Sequence, residues 1–452
     1  MIFAKRALLQ NNWAENVRLT VEQGVITTIT PQTKARDQDV AVDTLLPALS
    51  NLHSHSFQRA MAGMTEFRAA GRDSFWTWRE LMYRFVNRIT PEQLQAIATL
   101  VFMEMQEAGY AAVGEFHYVH HQSGGAPYDD IAELSNQIYA AAKTTGIGLT
   151  HLPVLYTYGG AGEVALTESQ LRFGNNVDRY MQLLDRTSDG MKHLPTDARI
   201  GIAPHSLRAT SPADLKNILA QHDTGPIHLH IAEQPKEVAD IQAWLGARPV
   251  EWLLQNAEVN SNWCLIHATH MTNDETKQMA KSGAVAGLCP ITESNLGDGP
   301  FNGPTYLNAG GAFGVGSDSN VNISLTEELR TLEYSQRLRD VARNVMVVGK
   351  GSVGQTLYPG AALGGAQALG RDAGEIRVGR LADLVAIDSA APALCALLSD
   401  QLLDGLVFAA KDSVVTDVWS AGRHAVRNGQ HIDREYITKN YRAAVTQLLA
   451  SA

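Results

Sequence analysis

The sequence predicts an α/β protein: a (β/α)8 barrel of the TIM type joined to a small β domain built from both chain ends. Three observations carry that expectation. Between about residues 47 and 360 a short apolar run followed by a longer helical stretch recurs eight times, as parallel strands with helical crossovers require. Residues 1–46 and 361–452 instead hold alternating β-branched runs punctuated by Gly and Asn-Gly. Histidines and carboxylates collect at the ends of the apolar runs, where such a barrel keeps its chemistry.

Taken in order, "NVRLTVEQGVITTIT" reads as strand, turn, strand and assigns residues 1–46 to the β domain. The barrel, residues 47–360, follows with the runs "TLLPALSNLH", "YAAVGEFHYV", "IGLTHLPVLY", "ARIGIAPHSL", "GPIHLHIAE", "NWCLIHAT", "GAVAGLCP" and "GAFGVGSDS". Eight units suit a closed barrel with insertions better than a doubly wound sheet. Helix starts fit this phasing. In "ITPEQ", Thr90 caps, Pro91 takes the first helical position and Gln93 can return the capping bond, with Leu94, Ile97, Ala98, Val101 and Met105 following at helical spacing. "TSPAD" repeats the device with Ser211, Pro212 and Asp214, a poorer third-position partner. Past residue 360, "GEIRVGRLADLVAID" and "DSVVTDVWSAGRHAVRNGQHI" revert to strands able to pair with the N-terminal ones, and "REYITKNYRAAVTQLLA" closes the chain as a helix.

Composition narrows the function. Hydrophobic residues make up 45% and charged residues 19% of 452, which is ordinary for a globular protein with a substantial core. A net charge of −10 without a Lys/Arg-rich tract argues against nucleic acid or an anionic membrane as partner. The three cysteines, Cys264, Cys289 and Cys395, form no C-x-x-C pair, so neither a disulfide framework nor a thiolate metal site is expected. The start "MIFAKRALLQNNW" lacks the apolar stretch of a signal peptide and no run is long enough to span a bilayer, which points to the cytoplasm.

The polar residues at the run ends form a constellation. His53 and His55 end the first run; in a strand, residues two apart share a face, so both can aim at one point. His230 and Glu233 end the fifth run, His267 the sixth and Asp318 the eighth. Each has a bland alternative: His228 and His230 as polar spacers in a barrel layer, His267 bonded to a carbonyl, Asp318 as a helix cap. A divalent metal explains the whole set, because imidazole nitrogens with one carboxylate suit Zn²⁺ and leave room for a water whose pKa falls toward neutrality. Asp318 can then take that water's proton, Glu233 can carry a proton to a leaving nitrogen, and His267 can polarise the group under attack. No G-x-S-x-G elbow, phosphate-binding glycine loop or dinucleotide fingerprint competes.

His-x-His at the first strand, His-x-x-Glu at the fifth, His at the sixth and Asp at the eighth resemble the amidohydrolase superfamily, in its mononuclear deaminase branch, over nearly the whole chain. The segments "VGRLADLVAID" and "DVWSAGRHAVRNG" look like that family's composite β-sandwich, so the resemblance implies a distorted TIM-like barrel with such a sandwich. His205, in "IAPHSLRA", stands where a binuclear member would place a carbamylated Lys, which implies one zinc ion per chain. Within the family, "NLHSHSFQRAMAGMTE", "FWTWRELMY", "GEFHYVHH" and "APHSLRA" look like enzymes of histidine degradation that hydrolyse N-formimino-L-glutamate to N-formyl-L-glutamate and ammonia. The resemblance implies His53, His55, His230 and Asp318 as zinc ligands and Glu233 and His267 as catalytic partners. It also implies Gln58, Arg79, Tyr118, His205 and Arg208 as substrate contacts, and a homodimer.

A substrate with two carboxylates and a basic amidine needs fixed cations at one end of its pocket and carboxylates at the other. Residues 56–90 hold Arg59, Arg68, Arg72, Arg79, Arg84 and Arg88 against Glu66, Asp73 and Glu80, a local positive balance in an acidic chain. Solvated Arg/Glu pairs account for most of these. Arg79, amid the aromatic "SFWTWRELMYRF", and Arg208, just beyond the fourth strand, are the candidates; Gln58 and Tyr118 rest on the resemblance. His117, His120, His121, His151 and His270 also lie near strand ends and carry no assignment. Two other readings stay open: a deaminase of a ring substrate such as guanine, an adenosine derivative or a triazine, and an inactive barrel acting as a scaffold.

Overall fold

The computed structural model describes residues 1–10, 12–67, 74–222 and 224–450; Arg68, Arg72 and Asp73 of the arginine-rich stretch lie outside them. The strands, in chain order, are β1 (Ile2–Leu9), β2 (Asn12–Glu22), β3 (Val25–Thr30), β4 (Val40–Pro47), β5 (Leu49–Ser54), β6 (Tyr110–His117), β7 (Gly148–Leu155), β8 (Arg199–Ile200) and β9 (Ala203–Pro204). They continue with β10 (Ile227–Ile231), β11 (Trp263–His267), β12 (Val285–Leu288), β13 (Ala312–Val315), β14 (Leu384–Ile387), β15 (Val415–Ser420), β16 (Arg423–Arg427) and β17 (Gln430–His431).

Both chain ends feed one sheet, ordered β17, β16, β15, β14, β4, β1, β2, β3. Its "EQG" turn places Gln23 and Gly24 at φ of 49° and 83°, the left-handed pair that matches hairpin twist. A Cβ on Gly24 would come within 2.9 Å of the Ala421 carbonyl oxygen, so the sheet curls until its β2–β3 end meets the β15–β16 turn. Inside the curl Val17, Leu19, Ile26, Val42, Leu384 and Trp419 form a separate core.

The other strands form two parallel arcs, β5 to β8 with β9 paired to β7, and β10 to β13. Single bridges join the arcs at both seams: Ile202 to Ile227 and Ser206 to His230 on one side, Ser54 to Asp318 on the other. The strands β5, β6, β7, β10, β11 and β12 are buried along their whole length. Covering on both faces is why they read as continuous apolar runs. A Cβ on Gly316 would lie 2.6 Å from the His53 nitrogen, so only glycine lets the chain after β13 close on β5 and deliver Asp318 there.

Two runs depart from the sequence reading. "TLLPALSNLH" is not one strand: it breaks at Ala48, whose N–H donates to Asp383 O, leaving Val40–Pro47 in the curled sheet and Leu49–Ser54 in the arc. The fourth run yields only the two-residue strands β8 and β9. Between them Gly201 crosses so close to Pro226 that a Cβ would sit 2.3 Å from its carbonyl oxygen.

Helix ends follow the expected chemistry. In α1 (Phe75–Val86) and α2 (Pro91–Glu107), the second begins with a reciprocal box: Thr90 Oγ1 accepts from Gln93 N–H at 3.3 Å and Thr90 N–H donates to Gln93 Oε1 at 3.1 Å. Ser211 accepts from Asp214 N–H at 3.1 Å, with no return bond among the described residues. The closing helix Arg434–Ala450 sets Ile437 on Leu100 and Met103 of α2. Among the described residues no helix is long and apolar enough to cross a membrane.

Candidate metal centre and substrate cavity

His53 lies near the end of β5 and His55 one residue past it, His230 near the end of β10, His267 at the end of β11, and Asp318 three residues past β13. Four of these meet. Asp318 Oδ1 is 3.5 Å from His53 Nε2 and 3.3 Å from His55 Nε2, while His230 Nε2 is 3.0 Å from His53 Nε2. Ligand atoms of His53, His55, His230 and Asp318 all fall within 4.8 Å of one another, and all four residues are buried. Nδ1 of His55 faces Phe116 O at 2.9 Å and Nδ1 of His230 faces His205 O at 3.0 Å. A carbonyl only accepts, so each Nδ1 carries the hydrogen and each Nε2 turns a lone pair to the centre. Facing lone pairs beside a carboxylate repel one another until a cation sits among them, so the donor set fits a divalent ion. Burial pushes the histidine pKa values down, that of His53 to about 3, which keeps the nitrogens free to coordinate.

Backbone strain marks the same places. His267 and Asp318 have φ of 67° and 47°, and Ala232, just before Glu233, has 51°. Side-chain-bearing residues avoid this left-handed region unless the surroundings hold them there. At Asp318 cross-seam bonds do so: His55 N–H donates to Asp318 O and Asp318 N–H to His53 O, both at 2.9 Å.

A ring of carboxylates surrounds the centre. Glu233 Oε1 lies 4.0 Å from His267 Nε2 and Oε2 lies 3.7 Å from Arg208, while Glu293 Oε1 is 3.2 Å from His267 Nδ1. Glu237 accepts from Glu233 N–H at 2.9 Å, and Asp298 accepts from the Gln234 amide. Burial, reinforced by Glu237 and Asp318 and opposed by His267 and Arg208, lifts Glu233 to about 7. Burial and then Glu233 lift Asp298 to about 9. Burial alone would depress His267, yet Glu233, Glu293 and Asp318 outweigh it and lift that pKa to about 10. Asp318 goes the other way: burial is outweighed by its bond with His53 and by the neighbouring imidazoles, which hold its carboxyl well below the usual range. The site thus pairs one firmly ionised carboxylate, Asp318, with Glu233, which is poised to exchange a proton near neutrality.

A cavity of about 540 Å³, its open mouth included, joins this centre to two arginines. Gln58, Arg79, Tyr118, His205 and Arg208 all line it, together with His55, His230, Glu233, His267 and Asp318. Gln58 Nε2 donates to Tyr118 Oη at 2.8 Å, and Gln58 Oε1 is buried without a partner. Trp76 sets the spacing of the cations: the Arg79 guanidinium lies 4.7 Å and that of Arg208 5.8 Å from its ring. Of the other arginines, Arg59 is a structural residue, bonding Asn320 O and Val321 O and pairing with Glu104.

Sequence reasoning missed Glu237, Glu293 and Asp298 in the acid ring, and Trp76, Tyr83 and Tyr156 around the arginines. Two signals were available. Glu293 follows the seventh strand, so the strand-end rule applied there finds it, and Glu237 lies one helical turn past Glu233. Four of the unassigned histidines, His117, His120, His121 and His151, and likewise His228, have structural surroundings, and His270 keeps no assignment. His117 packs against His120 and His151, His120 Nε2 bonds Val154 O, His151 Nε2 bonds Ser135 Oγ, His121 Nε2 bonds Asn175 Oδ1, and His228 Nε2 bonds Ala368 O.

Residues 44–425 match the model of the amidohydrolase family. The chain belongs to that family. Residues 1–40 match the model described as the N-terminal domain of formimidoylglutamate deiminase HutF. This amidohydrolase is 49% identical over 454 residues to the formimidoylglutamate deiminase of Pseudomonas aeruginosa, covering 99% of both chains. It is 27% identical to the 5-methylthioadenosine/S-adenosylhomocysteine deaminase of Natronomonas pharaonis, over 87% of this chain and 83% of that one. A crystal structure of an amidohydrolase from Brucella melitensis superposes with a TM-score of 0.95 at 46% identity, over 99% of each chain. An adenosine deaminase from Xanthomonas campestris with bound zinc shares the fold, with a TM-score of 0.81 at 24% identity over 99% of this chain and 98% of that one. Amidohydrolases are metal-dependent, and the buried His/Asp cluster is where this one can hold its metal.

Proposed function

We propose that the protein is a zinc-dependent deiminase that hydrolyses N-formimino-L-glutamate to N-formyl-L-glutamate and ammonia. One observation supports this above the rest: a single cavity is lined by two arginines, Arg79 and Arg208, together with His55, His230 and Asp318 of the buried cluster and with Glu233, which lies 3.7 Å from Arg208. That combination of cations and carboxylates suits a dicarboxylate carrying a cationic amidine, and it agrees with the substrate named for the Pseudomonas aeruginosa relative.

His53, His55, His230 and Asp318 would hold the zinc. When bound, it brings the pKa of a water toward neutrality and so supplies hydroxide. The remaining work falls to side chains. Arg79 and Arg208 bind the carboxylates, with Gln58, Tyr118 and His205 fixing the polar middle of the substrate. Glu233 and Asp318 favour the amidinium by charge, and His267 orients the group under attack. Asp318 takes up the proton of the attacking water, and Glu233, lifted to about 7, delivers a proton to the departing nitrogen so that neutral ammonia leaves. The architecture that goes with this is a closed, distorted (β/α)8 barrel over residues 47–360, with residues 1–46 and 361–452 folded together as a composite β-sandwich. A homodimer in the cytoplasm completes the reading.

The aromatic lining, Phe75, Trp78, Tyr83, Tyr118, Tyr156 and Phe173, is what a deaminase of a ring substrate would use. Paired arginines favour the acidic substrate over it, since a neutral ring leaves Arg79 with no ion-pair partner among the described residues, whereas Arg208 keeps Glu233 at 3.7 Å and Glu237 at 4.0 Å. Ammonia release from N-formimino-L-glutamate and not from guanine or adenosine is the expected result on zinc-replete protein. Glu233→Gln is expected to retain zinc by metal analysis while losing about 10²–10⁴-fold in turnover, the usual worth of a general acid–base group. Unchanged turnover in that variant removes Glu233 from the mechanism, and a scaffold protein would release no ammonia at all.

A further inference from the structure

Gln170 stands behind the cavity wall, buried at 2% exposure at the end of the short turn Glu168–Gln170. Its amide has only one possible orientation. Thr167 N–H, which can only donate, lies 2.9 Å from Oε1, and the Thr167 hydroxyl lies 3.0 Å from the same oxygen. The NH2 group therefore points the other way, at Tyr83 Oη (3.2 Å) and Tyr156 Oη (3.1 Å). An amide NH2 only donates, and of the three acceptors in its reach the phenol oxygens are nearer than Gly159 O at 3.5 Å, so both phenol oxygens are used as acceptors there. Two phenols own two hydroxyl hydrogens, and at most one can be spent between them. At least one is left, and both rings line the cavity beside Arg79 and Arg208, with the Arg79 guanidinium 5.6 Å from the Tyr83 ring.

We propose that Gln170 is a positioning residue that obliges Tyr83 and Tyr156 to offer a hydroxyl hydrogen to a substrate carboxylate at the arginine end of the cavity. The inference rests on the dicarboxylate substrate proposed above and adds what two guanidinia leave undone. A carboxylate has about four acceptor sites and a bidentate arginine fills two, so a buried carboxylate needs further donors to be satisfied. The same hydrogens disfavour any substrate that presents a donor or a cation at that end.

The test uses the zinc-loaded enzyme with three changes: Tyr83→Phe, Tyr83→Phe with Tyr156→Phe, and Gln170→Glu. Each single phenol suffices to keep one hydrogen for the substrate, so Tyr83→Phe alone should have the smaller effect. The double variant should raise KM for N-formimino-L-glutamate about tenfold or more, the scale of a hydrogen bond to a charged group, with kcat nearly unchanged. Gln170→Glu keeps the shape but accepts both hydroxyl hydrogens, so it should raise KM in the same way. Calorimetric titration with glutarate, which carries the carboxylates without the amidine, should show the same loss of affinity. A double variant that folds with an unchanged thermal midpoint and an unchanged glutarate affinity overturns the inference, as does failure of the wild type to bind glutarate. Loss of kcat and thermal midpoint together with KM in Gln170→Glu would make Gln170 a packing residue only. Wild-type protein that binds glutarate yet releases no ammonia would instead refute the proposed reaction and leave the tyrosine donors standing.

Discussion

At the N-terminal ends of β7 and β8, Arg371 and Arg423 meet Asp197 and Asp383; at the C-terminal ends of the strands, His267 and Arg208 face Glu233, Glu237, Glu293, Asp298 and Asp318. The first cluster is neutral and fully paired. Arg371 bonds Asp383 at 2.9 Å and Asp197 at 3.1 Å, Arg423 bonds Asp197 at 2.7 and 2.8 Å, and Asp383 accepts Ala421 N–H at 2.6 Å. Asp197 stays ionised because burial is outweighed by Arg423 and Arg371, which lower its pKa. The second cluster holds more acids than cations, so burial pushes protons onto it and lifts Glu233 and Asp298 to about 7 and 9. Compensated charge clamps the curled sheet to the strand arcs; uncompensated charge stores the protons that a reaction and a metal ion can use.

The contrast can be broken experimentally, most sharply at the metal centre. Chelation should abolish ammonia release and added zinc should restore it, whereas His230→Ala should fail to recover metal or activity while unfolding cooperatively in urea. Retained activity without metal would put the chemistry elsewhere. At the opposite cluster the order should reverse: Arg371→Met should cost about 3–5 kcal/mol in urea unfolding, because it leaves the buried Asp383 carboxylate without a cation while Asp197 keeps Arg423, with KM little changed in the protein that remains folded. A smaller, pH-dependent effect is expected from Asp197→Asn. Because the folded pKa of Asp197 lies below its unfolded value of about 3.9, its contribution is complete above that value and is lost as pH falls through the folded one. The stability gap between wild type and Asp197→Asn should therefore narrow as pH is lowered from about 5 to about 3; a gap that widens contradicts the assigned charge. The smallest effect belongs to the exposed pair Lys192 and Asp189, 2.7 Å apart, where Lys192→Ala should leave the urea midpoint unchanged.

How much was legible depends on how local the signal is. The capping box at Thr90 and the "EQG" turn each need only a few neighbouring residues, and both stand where the sequence put them. The break at Ala48 was invisible, because "LLPAL" is apolar on both sides of it and nothing local says that Pro47 pairs with Leu384 while Leu49 pairs with Tyr110. The same limit applies at the site. Strand-end positions singled out His53, His55, His230, Glu233, His267 and Asp318, but Asp298 belongs to a loop with no periodic signal, and its proximity to Glu233 comes from packing alone.

By itself the sequence determined which residue types terminate the apolar runs, since alternation, turn residues and caps are short-range consequences of backbone geometry. Tertiary structure decided that Asp318 reaches His53 across the Gly316 seam, that His267 and Asp318 endure a left-handed backbone, and that Trp76 spaces two guanidinia. The physical reason is distance along the chain: Asn51 and Ser317 hydrogen-bond across 266 residues, and an arrangement of that span is fixed only when the whole core packs.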